Sequence, residues 1–196
     1  MSEIYTYEDV SKLIPKIEES LKKGRYIHTI GVMHTAFSMA IRYDYPVYNA
    51  MVAGLLHDCA KCMPDEEKLK ICKKNKLPLS AIEIKNPQLL HGKVGAFVAK
   101  KKYSINDDEI LHAITYHTTG CPDMSLLDKI IYIADYIEPQ RGLNNKQPRL
   151  NEIRKMAFID IDQCLKMILE DSVEFLSHNP ENMDEMTLNT YKYYVN

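Results

Sequence analysis

Glycine is scarce in this chain, seven residues in 196, and the polar–apolar alternation that marks half-buried strands is missing. No stretch reaches the roughly 18 consecutive apolar residues that a membrane span needs. Residues Met1 to Val10 are polar and acidic, without the apolar run of an export signal. Internal repeats and low-complexity segments are also lacking. Neither sign of charge dominates: 25 Lys and Arg stand against 27 Asp and Glu, for a formal net charge of -2. That balance argues against bulk attraction to extended nucleic acid, yet a pocket for a small nucleotide needs only a few local cations. Cysteine is limited to five residues, an odd number with irregular spacing. Cys59 and Cys62 form one C-x-x-C, and no second pair completes a four-thiolate zinc site. Reduced, buried thiols are the expectation. A single cytoplasmic domain over residues 1–196 fits these exclusions, long enough to bury its own core.

What is present is a helical period. Apolar residues recur at spacings of three and four, so the fold class expected is all-α. A first helix is predicted over 6–23, closed by Gly24, and a second over 25–43, before the break at Pro46. A third over 47–59 is apolar almost all round (Ala50 to Leu56), the mark of a buried helix. Pro64 opens a polar helix ending near Asn75, and a loop with Pro78 and Pro87 follows. The next helix, about 89–102, carries Gly92, Gly95, Ala96 and Ala99, small enough for a neighbour to come close. Shorter helices are predicted at 107–116 and 125–136, then a cationic loop over 139–148 and one long helix over 150–178. The tail, 180–196, reads either as a terminal helix or as a lid. Its Tyr191, Tyr193 and Tyr194 would suit packing or, if exposed, a homodimer.

Chemistry concentrates at His57-Asp58, which ends the buried helix. Burying a carboxylate is costly unless it is paired or faces a cation. Alone, the pair also fits a solvated cap of the next helix. Other residues add to it. His28 lies on the apolar face that carries Val32, Thr35 and Met39. His91 follows Leu89-Leu90, His117 ends a helix with Ile110, Ala113 and Ile114, and Asp135 sits within Ile130 to Ala134. Each is also what a hydrogen-bonded core residue looks like. Together they form a set of N and O donors of the kind a divalent ion gathers from different elements. His34, His112 and His178 serve as controls. His34 and His112 are turned about 120° and 140° from His28 and His117 on a helix, and His178 ends the last long helix. All three are expected to stand at the surface or behind the ligands.

The order His28, His57-Asp58, His91, His117, Asp135 resembles the HD-domain metallohydrolases with six ligands. Closer similarity, over roughly residues 10–178, is to the bacterial YqeK family. It rests on Arg25-Tyr26-Ile27-His28, Ala53-Gly54-Leu55-Leu56-His57-Asp58-Cys59-Ala60-Lys61, Leu90-His91-Gly92, Tyr116-His117-Thr118-Thr119-Gly120 and Ala134-Asp135-Tyr136-Ile137-Glu138-Pro139-x-Arg141. The tail departs from that family: Glu185-Met186-Thr187 stands where a His-Pro pair followed by threonine is expected. The resemblance implies an HD-domain helical bundle with a metal site in its core. It implies symmetrical cleavage of diadenosine tetraphosphate to two ADP. It also implies a first ion on His28, His57, Asp58 and Asp135, with Asp58 bridging to a second on His91 and His117.

A donor set of imidazole and carboxylate without thiolate suits iron, manganese or zinc better than magnesium or calcium. One or two such ions would bring the pKa of water towards 7. Asp58 and Lys61 are the catalytic candidates. Lys61, one turn past the ligand pair, would help stabilise phosphoryl charge. Arg141 suits a phosphate clamp, and Thr118 a hydrogen bond to phosphate or ribose. Arg25, Lys61, His91 and His117 complete the substrate-binding candidates. The expected partners are a dinucleoside polyphosphate and its ADP product. The rival readings are a nucleotidase or cyclic-nucleotide phosphodiesterase on the same scaffold, an iron oxygenase, and a non-catalytic nucleotide sensor.

Overall fold

The computed structural model describes residues 4–142, 148–178 and 183–195. Every regular element among them is helical: α1 (Tyr7–Ser20), α2 (Lys23–Arg42), α3 (Val47–Leu56), α4 (Asp65–Asn75), α5 (Ala81–Lys85), a 3-10 turn (Pro87–Leu90), α6 (His91–Lys102), α7 (Asp108–Tyr116), α8 (Leu126–Ile137), α9 (Pro148–Met156), α10 (Ile161–Ser177) and α11 (Glu185–Val195). None is long and apolar enough to cross a membrane. The described residues thus form an all-helical bundle, the fold class that the apolar spacing predicts.

The centre is α3. Its residues from Asn49 to Leu56 are all buried, and α2, α7, α8 and α1 pack around it. Leu55, Leu56, Ile110, Ile114, Leu127, Ile130, Ile131 and Ile133 are fully enclosed. Each such side chain contributes about 1.5–3 kcal/mol relative to exposure. A smaller apolar cluster, Ala60, Cys72, Leu90 and Val94, joins α4 and the 3-10 turn to α6. Polar caps start several helices: Thr6 with Asp9, Ser80 with Glu83 and Ser125 with Asp128 form capping boxes.

Several sequence expectations change. The first helix stops at Ser20 and Gly24 lies inside α2, because Leu21 turns extended and buries its side chain. The third stops at Leu56, and successive three-residue turns carry the chain onward: Cys59 N–H to Leu56, Lys61 N–H to Asp58, Met63 N–H to Ala60. The long helix of 150–178 is two. Asp160 caps a fresh start by accepting from the N–H groups of Asp162 and Gln163. The loop holding Pro78 and Pro87 contains α5 and the 3-10 turn. Residues 143–147 of the cationic loop, and 180–182 and 196 of the tail, lie outside the described residues.

The tail forms α11, packed on α10. The Tyr194 hydroxyl accepts the Met124 N–H at 2.6 Å. Tyr191 and Tyr194 are partly buried and Tyr193 is exposed, so the aromatic set is turned mainly inward.

Candidate metal centre

Three of the four central histidines stand where a helix stops. His57 follows α3, His91 follows the 3-10 turn, and His117 follows α7. The last carbonyls of a helix lack partners within it, and each of these imidazoles takes one three residues back. His57 Nδ1 reaches Gly54 O at 2.7 Å, His91 Nδ1 reaches Gln88 O at 2.7 Å, and His117 Nδ1 reaches Ile114 O at 2.8 Å. A carbonyl only accepts, so Nδ1 carries the proton and the Nε2 lone pair points inward. His28 is mid-helix and differs. Its Nδ1 faces Glu138 Oε1 at 3.1 Å, the carboxylate–imidazole arrangement that orients a metal-ligating histidine.

These side chains converge. His28 Nε2 lies 3.3 Å from His57 Nε2, and His91 Nε2 lies 3.1 Å from His117 Nε2. With Nδ1 protonated, neither member of a pair has a proton to offer the other. Asp58 stands between the pairs, 2% exposed. Its Oδ1 is 3.5 Å from Nε2 of both His91 and His117, and it has no hydrogen-bond partner among the described residues. Its Oδ2 is 3.5 Å from His57 Nε2 and 3.9 Å from His28 Nε2. Asp135 Oδ1 is 3.1 Å from His28 Nε2 and 3.9 Å from His57 Nε2. Two donor groups result, His28–His57–Asp58 and Asp58–His91–His117, each within 4.8 Å.

Buried acceptors facing one another without protons are costly; a divalent cation removes that cost, and N/O donors of this kind fit one. All six sequence-predicted metal ligands meet here. Both carboxylates of the cluster are held ionised. Burial tends to raise the Asp58 carboxyl, yet His57 and His117 hold it well below the usual carboxylate range. Asp135 is likewise held down against burial, by His28 and His57. Burial, then His117 and Lys61, push His91 down to about 3. His117 is raised despite its burial, drawn up by Asp58 and Asp135.

The remaining predicted site residues ring the cluster. Arg25 Nη1 donates to Asp58 Oδ2 at 2.7 Å. Arg141 Nη2 donates to Asp135 Oδ1 at 3.2 Å. Lys61 Nζ and Thr118 Oγ1 each lie 3.1 Å from His91 Nε2, and burial lowers the Lys61 ammonium while Asp58 opposes that. Arg25 and Arg141 share a cavity of about 240 Å³ with His28, Glu138 and Gln140. Two larger hollows, about 480 and 410 Å³, meet at Leu89, Thr118, Thr119 and Asp184. The first has apolar walls of Tyr136, Phe175 and Leu176. Helix α11 lends Thr187 to one and Met186 and Asn189 to the other, so the tail walls both hollows. His34, His112 and His178 are exposed.

Sequence reasoning assigned no role to Glu138. It is 1% exposed, and its Oε2 accepts the Gln140 N–H at 2.7 Å. A Cβ at Gly31 would stand 2.6 Å from that oxygen, so glycine on α2 is what admits the carboxylate. The signal was available: an acid directly after the apolar helix that carries Asp135. Gly92 has a similar part, since a Cβ there would lie 2.6 Å from Thr115 O; its absence brings His91 against the end of α7.

Residues 25–140 match the family model described as HD domain. The chain is 38% identical over 179 residues to a Bacillus subtilis protein named symmetrical bis(5'-nucleosyl)-tetraphosphatase, covering 91% of this chain and 94% of that one. A protein of the same name from Halalkalibacterium halodurans is 36% identical over 180 residues, covering 92% and 94%. Among solved structures, a predicted HD superfamily hydrolase involved in NAD metabolism from Clostridium acetobutylicum superposes with a TM-score of 0.87 at 37% identity, over 98% of each chain.

Proposed function

The chain belongs to the HD domain family and, within it, to the symmetrical bis(5'-nucleosyl)-tetraphosphatases, and on that premise we propose that it hydrolyses diadenosine tetraphosphate to two ADP. The observation that carries the chemistry is the buried Asp58 Oδ1, which lacks a hydrogen-bond partner among the described residues and faces two inward-pointing imidazole nitrogens. His28, His57, Asp58 and Asp135 would hold one ion; Asp58, His91 and His117 would hold a second. Iron is our proposal for the metal, with manganese or zinc as substitutes. Bound there, a divalent pair supplies an acidified water and neutralises phosphoryl charge.

The chain's own residues supply orientation and charge. Water attacks one central phosphorus in line; its oxygen stays on one ADP, and the bridging oxygen leaves with the other. The released proton goes to that leaving group or to solvent. The Lys61 ammonium lies beside His91 and stabilises charge on the phosphoryl oxygens as it builds. Arg141 and Arg25 line the small cavity on the opposite side of Asp58, suited to clamp the non-bridging oxygens of a neighbouring phosphate in the chain. Thr118 presents its hydroxyl between the cluster and the two hollows. The apolar hollow at Tyr136, Phe175 and Leu176 suits a purine ring. The setting we propose is cytoplasmic, with the dinucleotide and ADP as partners. A homodimer would have to form without most of the α11 tyrosines, which pack inward.

Elemental analysis of purified protein, paired with product chromatography, tests this reading. Metal should be present, and diadenosine tetraphosphate should yield ADP as the only nucleotide, faster than equal concentrations of mononucleotide or cyclic nucleotide release product. AMP with ATP as products, or faster mononucleotide turnover, would overturn the substrate assignment. Binding of the dinucleotide by metal-replete protein without turnover would mark a sensor instead.

A further inference from the structure

A second group of donor atoms meets on three consecutive elements away from Asp58. His112 of α7, Cys121 of the connecting loop and Asp128 of α8 place one donor atom each within 4.8 Å of one another. We propose that this trio is an accessory site for a zinc-class divalent ion, separate from the catalytic centre.

The carboxylate is already aimed. Asp128 is 3% exposed. Its Oδ2 accepts the Ser125 N–H at 2.8 Å, which leaves Oδ1 facing His112 Nδ1 at 2.9 Å. The Cys121 thiol is buried beside them, at 6% exposure. His112 keeps 46% of its side chain exposed, and its ring leans on Tyr116 with centroids 4.7 Å apart. The site is therefore walled on the protein side and open on the solvent side, as three protein ligands and a water require.

Charge and softness select the ion. One thiolate and one carboxylate cancel a doubly positive ion, so the filled site buries no net charge. A thiolate beside an imidazole favours zinc and its neighbours over magnesium or calcium. Without the ion the thiol stays protonated, since burial, Asp128 and Asp123 push it up to about 11. Binding breaks the S–H bond and releases one proton to solvent. The imidazole proton moves from Nδ1 to Nε2, freeing Nδ1 to coordinate.

The placement also has a consequence. Helix α7 ends at Tyr116, directly before His117 and Thr118, and α8 carries Asp135. An ion on His112, Cys121 and Asp128 clamps both helices and the loop between them, the same turn that α11 holds through Tyr194.

The test is cobalt(II) added to holoenzyme whose catalytic metals are already in place. One further equivalent should bind and produce a thiolate-to-cobalt charge-transfer band in the near ultraviolet, which the sulfur-free catalytic centre does not give. Cys121→Ser should lose the band and the extra equivalent while hydrolysing diadenosine tetraphosphate at the unaltered rate. His112→Ala, a change at an exposed position, should weaken cobalt binding by at least tenfold. It should also abolish the rise in melting temperature that added zinc gives the parent protein. Absence of the band in the parent protein, or its survival in Cys121→Ser, would overturn the proposal. Because the readout is a sulfur band, it stands or falls independently of any hydrolytic activity.

Discussion

The two oxygens of Asp58 look onto unlike neighbourhoods. On the Oδ2 side stand His28, His57 and Asp135, with Glu138 behind His28 and the guanidinium groups of Arg25 and Arg141 outside. On the Oδ1 side stand His91 and His117, each tied to a backbone carbonyl, with Lys61 and Thr118 beside His91. The first side offers three carboxylates; the second shares Asp58 alone and adds an ammonium. Coulomb attraction therefore favours a cation more on the first side, and an anionic phosphoryl oxygen more on the second. One half is built chiefly to keep an ion, with Arg25 and Arg141 at its outer edge for phosphate, and the other to meet the reacting phosphoryl group.

The largest effect should come from the residue common to both halves. Asp58→Ala is expected to lower the rate of ADP formation by at least about 10³-fold, beyond the loss of a single charge-stabilising donor, and to empty both positions by elemental analysis. Circular dichroism should show the helices intact. Full metal content in that variant would sink the bridging role.

The asymmetry itself is tested by graded chelation. The ion on the His91–His117 side should leave first, and His117→Ala should keep one equivalent of metal per chain while losing activity. If His28→Ala keeps the metal and His117→Ala loses all of it, the comparison is the wrong way round.

Glu138→Gln should weaken metal binding by about 10–100-fold, the usual cost of losing an orienting partner behind a ligand. Gly31→Ala should act in the same direction, because its methyl group would crowd Glu138 Oε2. Competition with a chelator of known affinity measures both.

Arg141→Ala should raise KM about tenfold or more, the scale of one charged hydrogen bond, with a smaller change in kcat. An equal fall in kcat alone would mean that the guanidinium acts only at the transition state.

The smallest effect is in pH. The folded-state His91 is pushed down to about 3, whereas the unfolded chain takes up a proton near 6.5. The unfolded state thus binds more protons below 6.5, and stability falls as pH drops from there towards 3. In chelated protein, His91→Gln should gain melting temperature over the parent at pH 5 but not at pH 8. His117, whose pKa is raised, contributes with the opposite sign but is present in both proteins, so an equal difference at pH 5 and pH 8 would mean that His91 does not set the pH dependence.

The fold class was legible because helical periodicity is local: the apolar spacing in 110–114 or 127–133 needs no knowledge of partners. Boundaries were less so. Asp160 is an ordinary cap residue, but the apolar period runs through it on both sides, which hid the break between α9 and α10. Gly24 looked like a stop, yet the helix ended earlier because burying Leu21 turned the chain. The candidate ligands could be named through motif order, since each lies in or beside an apolar helix where a polar group needs a reason. Glu138 stayed without a role, because its part depends on the space that Gly31 leaves on α2, more than a hundred residues away in the chain.

By itself the sequence determined a helical chain, a buried third helix ending in His57-Asp58, and a donor set of imidazoles and acids without sulfur. Those follow from spacing and residue chemistry, which act over a few neighbours. Only the tertiary structure decided that His28 turns to Glu138 while His57, His91 and His117 turn to carbonyls. It alone decided that Glu138 backs one half of the cluster while Lys61 and Thr118 flank the other, and that α11 walls the hollows beside them. Such choices depend on which helix ends pack together, and packing is settled by contacts between residues far apart in the chain.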